Sequence, residues 1–234
     1  TISGGAGADT FLISTLSDTA IYGGADVDSI NITGSLLGAT VDFGAGDERF
    51  TLTVGASDSN ILGGADNDTF VLATAGELIS SSVSGGTGND QLIFSAALNT
   101  ASSIYGGAGN DTITFASTIA AAVQVSGDAG SDVLLFSSSV DGASIYGGAG
   151  DDSMAFAGTI SNSTIDFGAD SDTLTLTVAA TSTTILGGAG GDSLIFNSGA
   201  TLQNTSVSGG ANDDSLVFSA AVFSTSTVAG GAND

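Results

Sequence analysis

Ile104 to Phe115 reads IYGGAGNDTITF. One apolar residue, Ile104, precedes a six-residue turn of small residues ending in an acid, and two more, Ile113 and Phe115, follow one residue apart. Period-two alternation of this kind is a short strand with one buried face, and a glycine-rich run between two such stretches is a tight turn. The string returns along the chain as IYGGADVD at Ile21, ILGGADND at Ile61, VSGGTGND at Val83, VSGDAGSD at Val125 and IYGGAGDD at Ile145, with further copies from Ile185, Val207 and Val228. The first turn position falls at Gly4, Gly23, Phe43, Gly63, Gly85, Gly106, Gly127, Gly147, Phe167, Gly187, Gly209 and Gly230, giving twelve copies 19 to 22 residues apart.

A coil of this size cannot bury its own apolar face, whereas stacked coils bury a continuous one. The expected fold is all-β: a parallel β-solenoid of about twelve coils, with a looser second turn and a thin return strand in the Ser-, Thr-, Ala- and Asn-rich remainder of each copy. Ile or Val just before the pre-turn position should form one inward ladder, and Phe94, Phe115, Phe136 and Phe156 should stack in another. A longer period overlies the coils: DFGA at Asp42 returns at Asp166, TLTV at Thr51 at Thr175 and SVSGG at Ser82 at Ser206, an offset of 124 residues. The chain therefore reads as one continuous array over 1–234, a six-coil block duplicated. It begins at Thr1, one residue before a ladder position, and stops at Asp234 inside a turn. A slice of a longer protein is expected, or a module whose ends meet their neighbours end to end, because uncapped solenoid ends are open strand edges.

Composition limits the chemistry. The chain carries 25 acidic residues and one basic residue, for a net charge of −24, and has no His, Cys, Pro or Trp. Such a field excludes a nucleic-acid binder, and no apolar run approaches the length of a membrane-spanning helix. Without thiolates or imidazoles, only oxygen ligands for hard cations remain in quantity.

Those oxygens recur at one place. The sixth turn position is Asp9, Asp28, Glu48, Asp68, Asp90, Asp111, Asp132, Asp152, Asp172, Asp192 and Asp214, acidic in every complete copy. Stacked about 4.8 Å apart, neighbouring charges repel by roughly 3 to 4 kcal/mol at an effective dielectric near 20. Turn propensity alone does not place an acid at one fixed position eleven times, and calcium, which accepts a flexible shell of carboxylates and carbonyls, suits the column better than magnesium.

GGAGADTFL, GGTGNDQLI, GGAGNDTIT and GGAGDDSMA resemble the GGxGxDxUx nonapeptide of the RTX, or haemolysin-type calcium-binding, family, and the likeness runs the length of the chain. The resemblance implies a right-handed parallel β-roll with calcium between the turns of successive coils, held by the aspartates and turn carbonyls, in a protein secreted into calcium-rich surroundings. This chain has one such turn per coil rather than two, so about ten ions in one row along one edge are expected. Phe43 and Phe167 in place of the first glycine, and Asp128 in place of the second, put the carbonyl geometry of their turns in question. Glu48, followed by Arg49, is the weakest of the set. Asp26, Asp66 and Asp170 at the fourth position read as surface charge ahead of second ligands.

The function expected is that of a structural module of a filament, surface layer or adhesin. An ice-binding solenoid would want regular Thr and Asn columns, yet the third turn position is Ala almost throughout, with Thr87 alone, and the fifth runs through Ala8, Val27, Asp47, Asn67, Asn89, Asn110, Ser131, Asp151 and Gly191. A polysaccharide-active β-helical enzyme would need an acid pair outside the repeat; each acid is better explained as repeat chemistry, and most other general bases and nucleophiles are missing.

Overall fold

The structure, a computed structural model, describes residues 1–73, 76–99, 101–219, 221–223 and 225–232; the end of the last turn, including Asp234, lies outside them. The chain winds as a parallel β-solenoid of eleven complete coils and the opening strand of a twelfth, with no helix among the described residues.

Three faces arise in every coil. The first is a twelve-stranded sheet running from Ile2–Ala6 to Thr227–Ala232, and the second an eleven-stranded sheet from Thr10–Ile13 to Ser215–Phe218. On the third face strands shrink to two or three residues. They form two five-stranded sheets, Leu16–Ser17 to Leu98–Asn99 and Val140–Asp141 to Ala221–Val222, linked through bridges from Ile119 to Leu98 and Val140. All the acidic turns lie along one edge, between the first and second sheets.

Register holds from coil to coil. Ile104 pairs with Val83 on one side and Val125 on the other, and the same ladder joins Ile21, Val41, Ile61, Ile145, Ile165, Ile185 and Val207, each almost fully buried. From this ladder residue to the first inward residue beyond the turn the spacing is nine in every complete coil, as from Ile104 to Ile113 or Ile185 to Leu194. The longer coils take up their extra residues elsewhere. Leu72 and Phe196 are each six residues from the inward residue of the third-face strand, Leu78 and Leu202, where Phe115 and Ile119 are four apart. The acidic edge thus keeps a fixed length while the far side absorbs variation.

Phenylalanines fill the core behind the turns. Phe94, Phe115, Phe136 and Phe156 stack with ring centroids 5.1, 5.0 and 4.6 Å apart, as the alternation predicts. Phe43, Phe50 and Phe70 extend the aromatic run with tilted and edge-on contacts at 5.0 to 5.5 Å. Dispersion among such rings and the removal of apolar area from water hold adjacent coils together.

Candidate metal centre: a buried column of carboxylates

The tight turn leaves the sixth-position side chain inside the coil. Asp28, Glu48, Asp68, Asp90, Asp111, Asp132, Asp152, Asp172 and Asp192 are between 1% and 7% exposed, and Asp9 and Asp214 at the ends are half-buried. All eleven expected site residues therefore come together in one interior column.

Every aspartate of the column after Asp9 does one job for the previous coil. The amide of Asp90 donates to Oδ1 of Asp111 at 2.7 Å, that of Asp111 to Asp132 at 2.7 Å and that of Asp132 to Asp152 at 2.8 Å; the pattern spans Asp9–Asp28 and Glu48 through Asp214. At Glu48 the ladder loosens: the Asp28 amide lies near its carboxylate, but no bond with the geometry of the others forms there. Its longer side chain lies instead against Asp68, beside a small cavity lined by Phe43, Glu48, Asp68 and Asp90.

The second oxygen has no such job. Oδ2 of Asp9, Asp28, Asp68, Asp90, Asp111, Asp132, Asp152, Asp172 and Asp192 is buried with no hydrogen-bond partner. A buried carboxylate without a donor or cation is costly, and the protonation equilibria register it. Burial, reinforced by the Glu48 contact, pushes Asp68 up to about 8. Burial pushes Asp111, Asp132 and Asp172 up to about 7 and Asp152 to about 6, against the lowering effect of the amide bonds and with neighbouring acids adding to the rise. Glu48, Asp90 and Asp192 move in the same direction, again chiefly through burial.

The first glycine is required for space. A Cβ on Gly106 would lie 2.4 Å from Asp111 Oδ2 and 2.6 Å from the Gly127 carbonyl oxygen, and Gly85, Gly127 and Gly209 show the same crowding. Its backbone is not left-handed; that demand falls on the second position, where Gly107 has φ 120° and Gly148 128°. Carboxylate and carbonyl oxygens thus converge on the bare face of one glycine. The Phe43 and Phe167 carbonyls still face the preceding turns, 2.3 and 2.4 Å from where a Cβ on Gly23 or Gly147 would lie, while their own side chains are buried in the core and take the place of the bare glycine face.

Outer turn positions are satisfied by hydrogen bonds alone. The Asn89 amide donates to Asn67 Oδ1 at 2.8 Å, Asn110 to Asn89 at 2.6 Å and Ser131 to Asn110 at 2.8 Å, a ladder of opposite sense to the inner one. Asp26 and Asp170 cap the amides of Gly7 and Gly150 at 3.1 Å from exposed, left-handed positions, which accounts for them without a ligand role.

A second interior polar column was not anticipated. Ser59, Ser81, Ser102, Ser163, Thr183 and Thr205 are buried at the corner where the third face returns to the first sheet. Ser59 Oγ accepts from the Ala39 amide at 3.1 Å and donates to its own coil's Ser57 carbonyl at 2.8 Å, and Ser163 does the same with Ala143 and Ser161. The signal is legible in hindsight: each of these residues stands two before a ladder Ile or Val.

A hard cation fits the acidic column on these grounds: orphaned carboxylate oxygens, carbonyls facing the same space and glycines that leave it open. No point among the described residues gathers three or more acidic side chains, so a cation here draws carboxylates from successive coils and completes its shell with carbonyl oxygens, as calcium's flexible coordination permits.

Comparison with known proteins agrees. Residues 1–12, 51–73, 100–117 and 144–158 match the model of the RTX calcium-binding nonapeptide repeat. The crystal structure of a hyperactive, Ca2+-dependent, β-helical antifreeze protein from an Antarctic bacterium aligns with 92% of this chain and 74% of its own at 22% identity and a TM-score of 0.69, a likeness of fold. No curated protein matches. In coil geometry, repeat spacing and acidic turns, the chain is a parallel β-solenoid, four stretches of which match the RTX calcium-binding nonapeptide repeat.

Proposed function

We propose that this chain is a calcium-stiffened structural segment of an extracellular filament, surface layer or adhesin, without catalytic activity. The observation that carries the reading is the interior column in which nine aspartates, from Asp9 to Asp192, each bury a second oxygen with no hydrogen-bond partner, in a chain with a single basic side chain. About ten calcium ions in one row fill the gaps between Asp9, Asp28, Glu48, Asp68, Asp90, Asp111, Asp132, Asp152, Asp172, Asp192 and Asp214. Folding then depends on the ion, because the site exists only when the coils are stacked. Such dependence suits calcium-rich surroundings outside the cell.

The array is one unit over 1–234, a duplicated six-coil block, and its stack continues through further coils or another copy placed end to end. Calcium and that neighbour are its partners; nucleic acid is repelled by the charge, and no described helix is long and apolar enough to cross a membrane. Ice binding has less support, since the third turn position carries Ala almost throughout and the Asn ladder is engaged between coils. Small-angle scattering tests the reading: an elongated rod in calcium should expand to the dimensions of an open chain in excess chelator. A profile unchanged by chelation contradicts it.

A further inference from the structure

All three tyrosines of the chain fall in one outward column of the first sheet, the position after the ladder Ile or Val. Tyr105 and Tyr146 stand two rungs apart with Ser126 between them. Ser126 is only 6% exposed, whereas Ser84 and Ser208, in the same column without a tyrosine on both sides, are half-buried. The two half-exposed tyrosines flank the serine on the adjoining rungs, so Tyr105, Ser126 and Tyr146 make an outward floor on this sheet.

At the edge of that floor lies the sole break in a column of glycines. The second turn position is Gly in every coil except the seventh, where it is Asp128 at φ 77°. Aspartate tolerates this left-handed conformation, as Asp26, Asp66 and Asp170 also show, so what sets Asp128 apart is a carboxylate where every other coil has none. Ser126 Oγ donates to Asp128 Oδ1, which fixes the half-buried carboxylate beside the rings. Asp166 follows Tyr146 on the next rung.

We infer that Tyr105, Ser126, Asp128, Tyr146 and Asp166 form a binding surface for a neutral polysaccharide chain lying along the solenoid axis. Tyrosine faces stack on the C–H faces of pyranose rings while keeping a polar tip in water, and fixed carboxylates accept strong hydrogen bonds from sugar hydroxyls. Two rungs separate the rings by about 9.6 Å, the span of two units of an extended β-linked chain. Charge selects the class: a chain of net charge −24, with its one basic residue, Arg49, on the second sheet, repels sulfated, phosphorylated and uronate polymers.

The calcium-loaded chain should be titrated calorimetrically with cellohexaose, mannohexaose and xylohexaose, and with oligogalacturonate as the anionic control. At least one neutral hexasaccharide should bind, and Tyr105→Ala combined with Tyr146→Ala should weaken it by about tenfold or more. Tyr22→Ala, four rungs from Tyr105, should leave binding unchanged. Asp128→Gly restores the common turn residue, so it should weaken sugar binding while leaving thermal stability and calcium affinity intact or raised. No binding of any neutral sugar, binding of oligogalacturonate alone, or unaltered binding by the double tyrosine variant overturns the inference. So does an Asp128→Gly chain that loses calcium and keeps its sugar, which would make Asp128 part of the ion row.

Discussion

Two polar columns run through the same apolar interior, one of carboxylates behind the tight turns and one of hydroxyls at the corner where the third face meets the first sheet. Both give an oxygen to an amide of the previous coil: Asp111 to Asp90, Ser59 to Ala39. They differ in what remains. A hydroxyl also donates, and Ser59 passes its proton to the Ser57 carbonyl, so it closes its own circuit. A carboxylate only accepts, and its second oxygen waits for a proton or a cation. The hydroxyl column accordingly tolerates gaps, with Ala39, Val123 and Ala143 occupying it among the serines, whereas the acidic column has none over eleven turns. One edge of the roll is made conditional on an ion, and the other is not.

The largest expected consequence is an inverted pH dependence in the metal-free chain. Asp68, Asp111, Asp132, Asp152 and Asp172 have folded-state values raised from about 3.8 to between about 6 and 8, so the folded state holds protons that the open chain has released. Their stabilising contribution is fully present below about pH 4 and is lost as pH rises through that window. Metal-stripped protein followed by circular dichroism should be folded near pH 4 to 5 and should lose its β-signal toward pH 8. Calcium should reverse the trend. Equal metal-free stability across the range would contradict the column's role.

Asp111→Asn sharpens the contrast, because it keeps the shape and the acceptor while removing the charge. In calcium it should weaken the two adjoining gaps and cost on the order of 3 kcal/mol; in chelator it should stabilise the chain by relieving like-charge repulsion. Thermal melts in calcium and the pH midpoint of β-signal loss in chelator read the crossing of sign, and loss in both would assign Asp111 an ordinary packing role. Ser59→Ala gives the smallest effect, about 1 kcal/mol from the orphaned Ala39 amide, and should be the same with calcium or without. A cost that grows when calcium is removed would mean that the two columns are coupled.

Much of this was legible in the sequence, because a solenoid repeats its local rules. The ladder of Ile and Val, the phenylalanine stack and the eleven acids are each set by period alone. The hydroxyl column escaped notice because Ser, Thr, Ala and Val share its position, so small volume rather than one chemistry defines it. The role of the first glycine was also hidden: a glycine at a turn suggests positive φ, and only the approach of Asp111 Oδ2 and the Gly127 carbonyl shows that Gly106 is there for space. The Tyr105–Ser126–Tyr146 floor went unread because its spacing is measured across coils and not along the chain.

The most direct measurement is long-wavelength anomalous diffraction from crystals grown in calcium, which locates the ions independently of any assumption about their ligands. The account predicts about ten peaks in a single line along the acidic edge, one in each gap between Asp9 and Asp214, and none beside Ser59, Ser81 or Ser163. Peaks along both edges, or no peak within reach of the aspartate Oδ2 atoms, would contradict it.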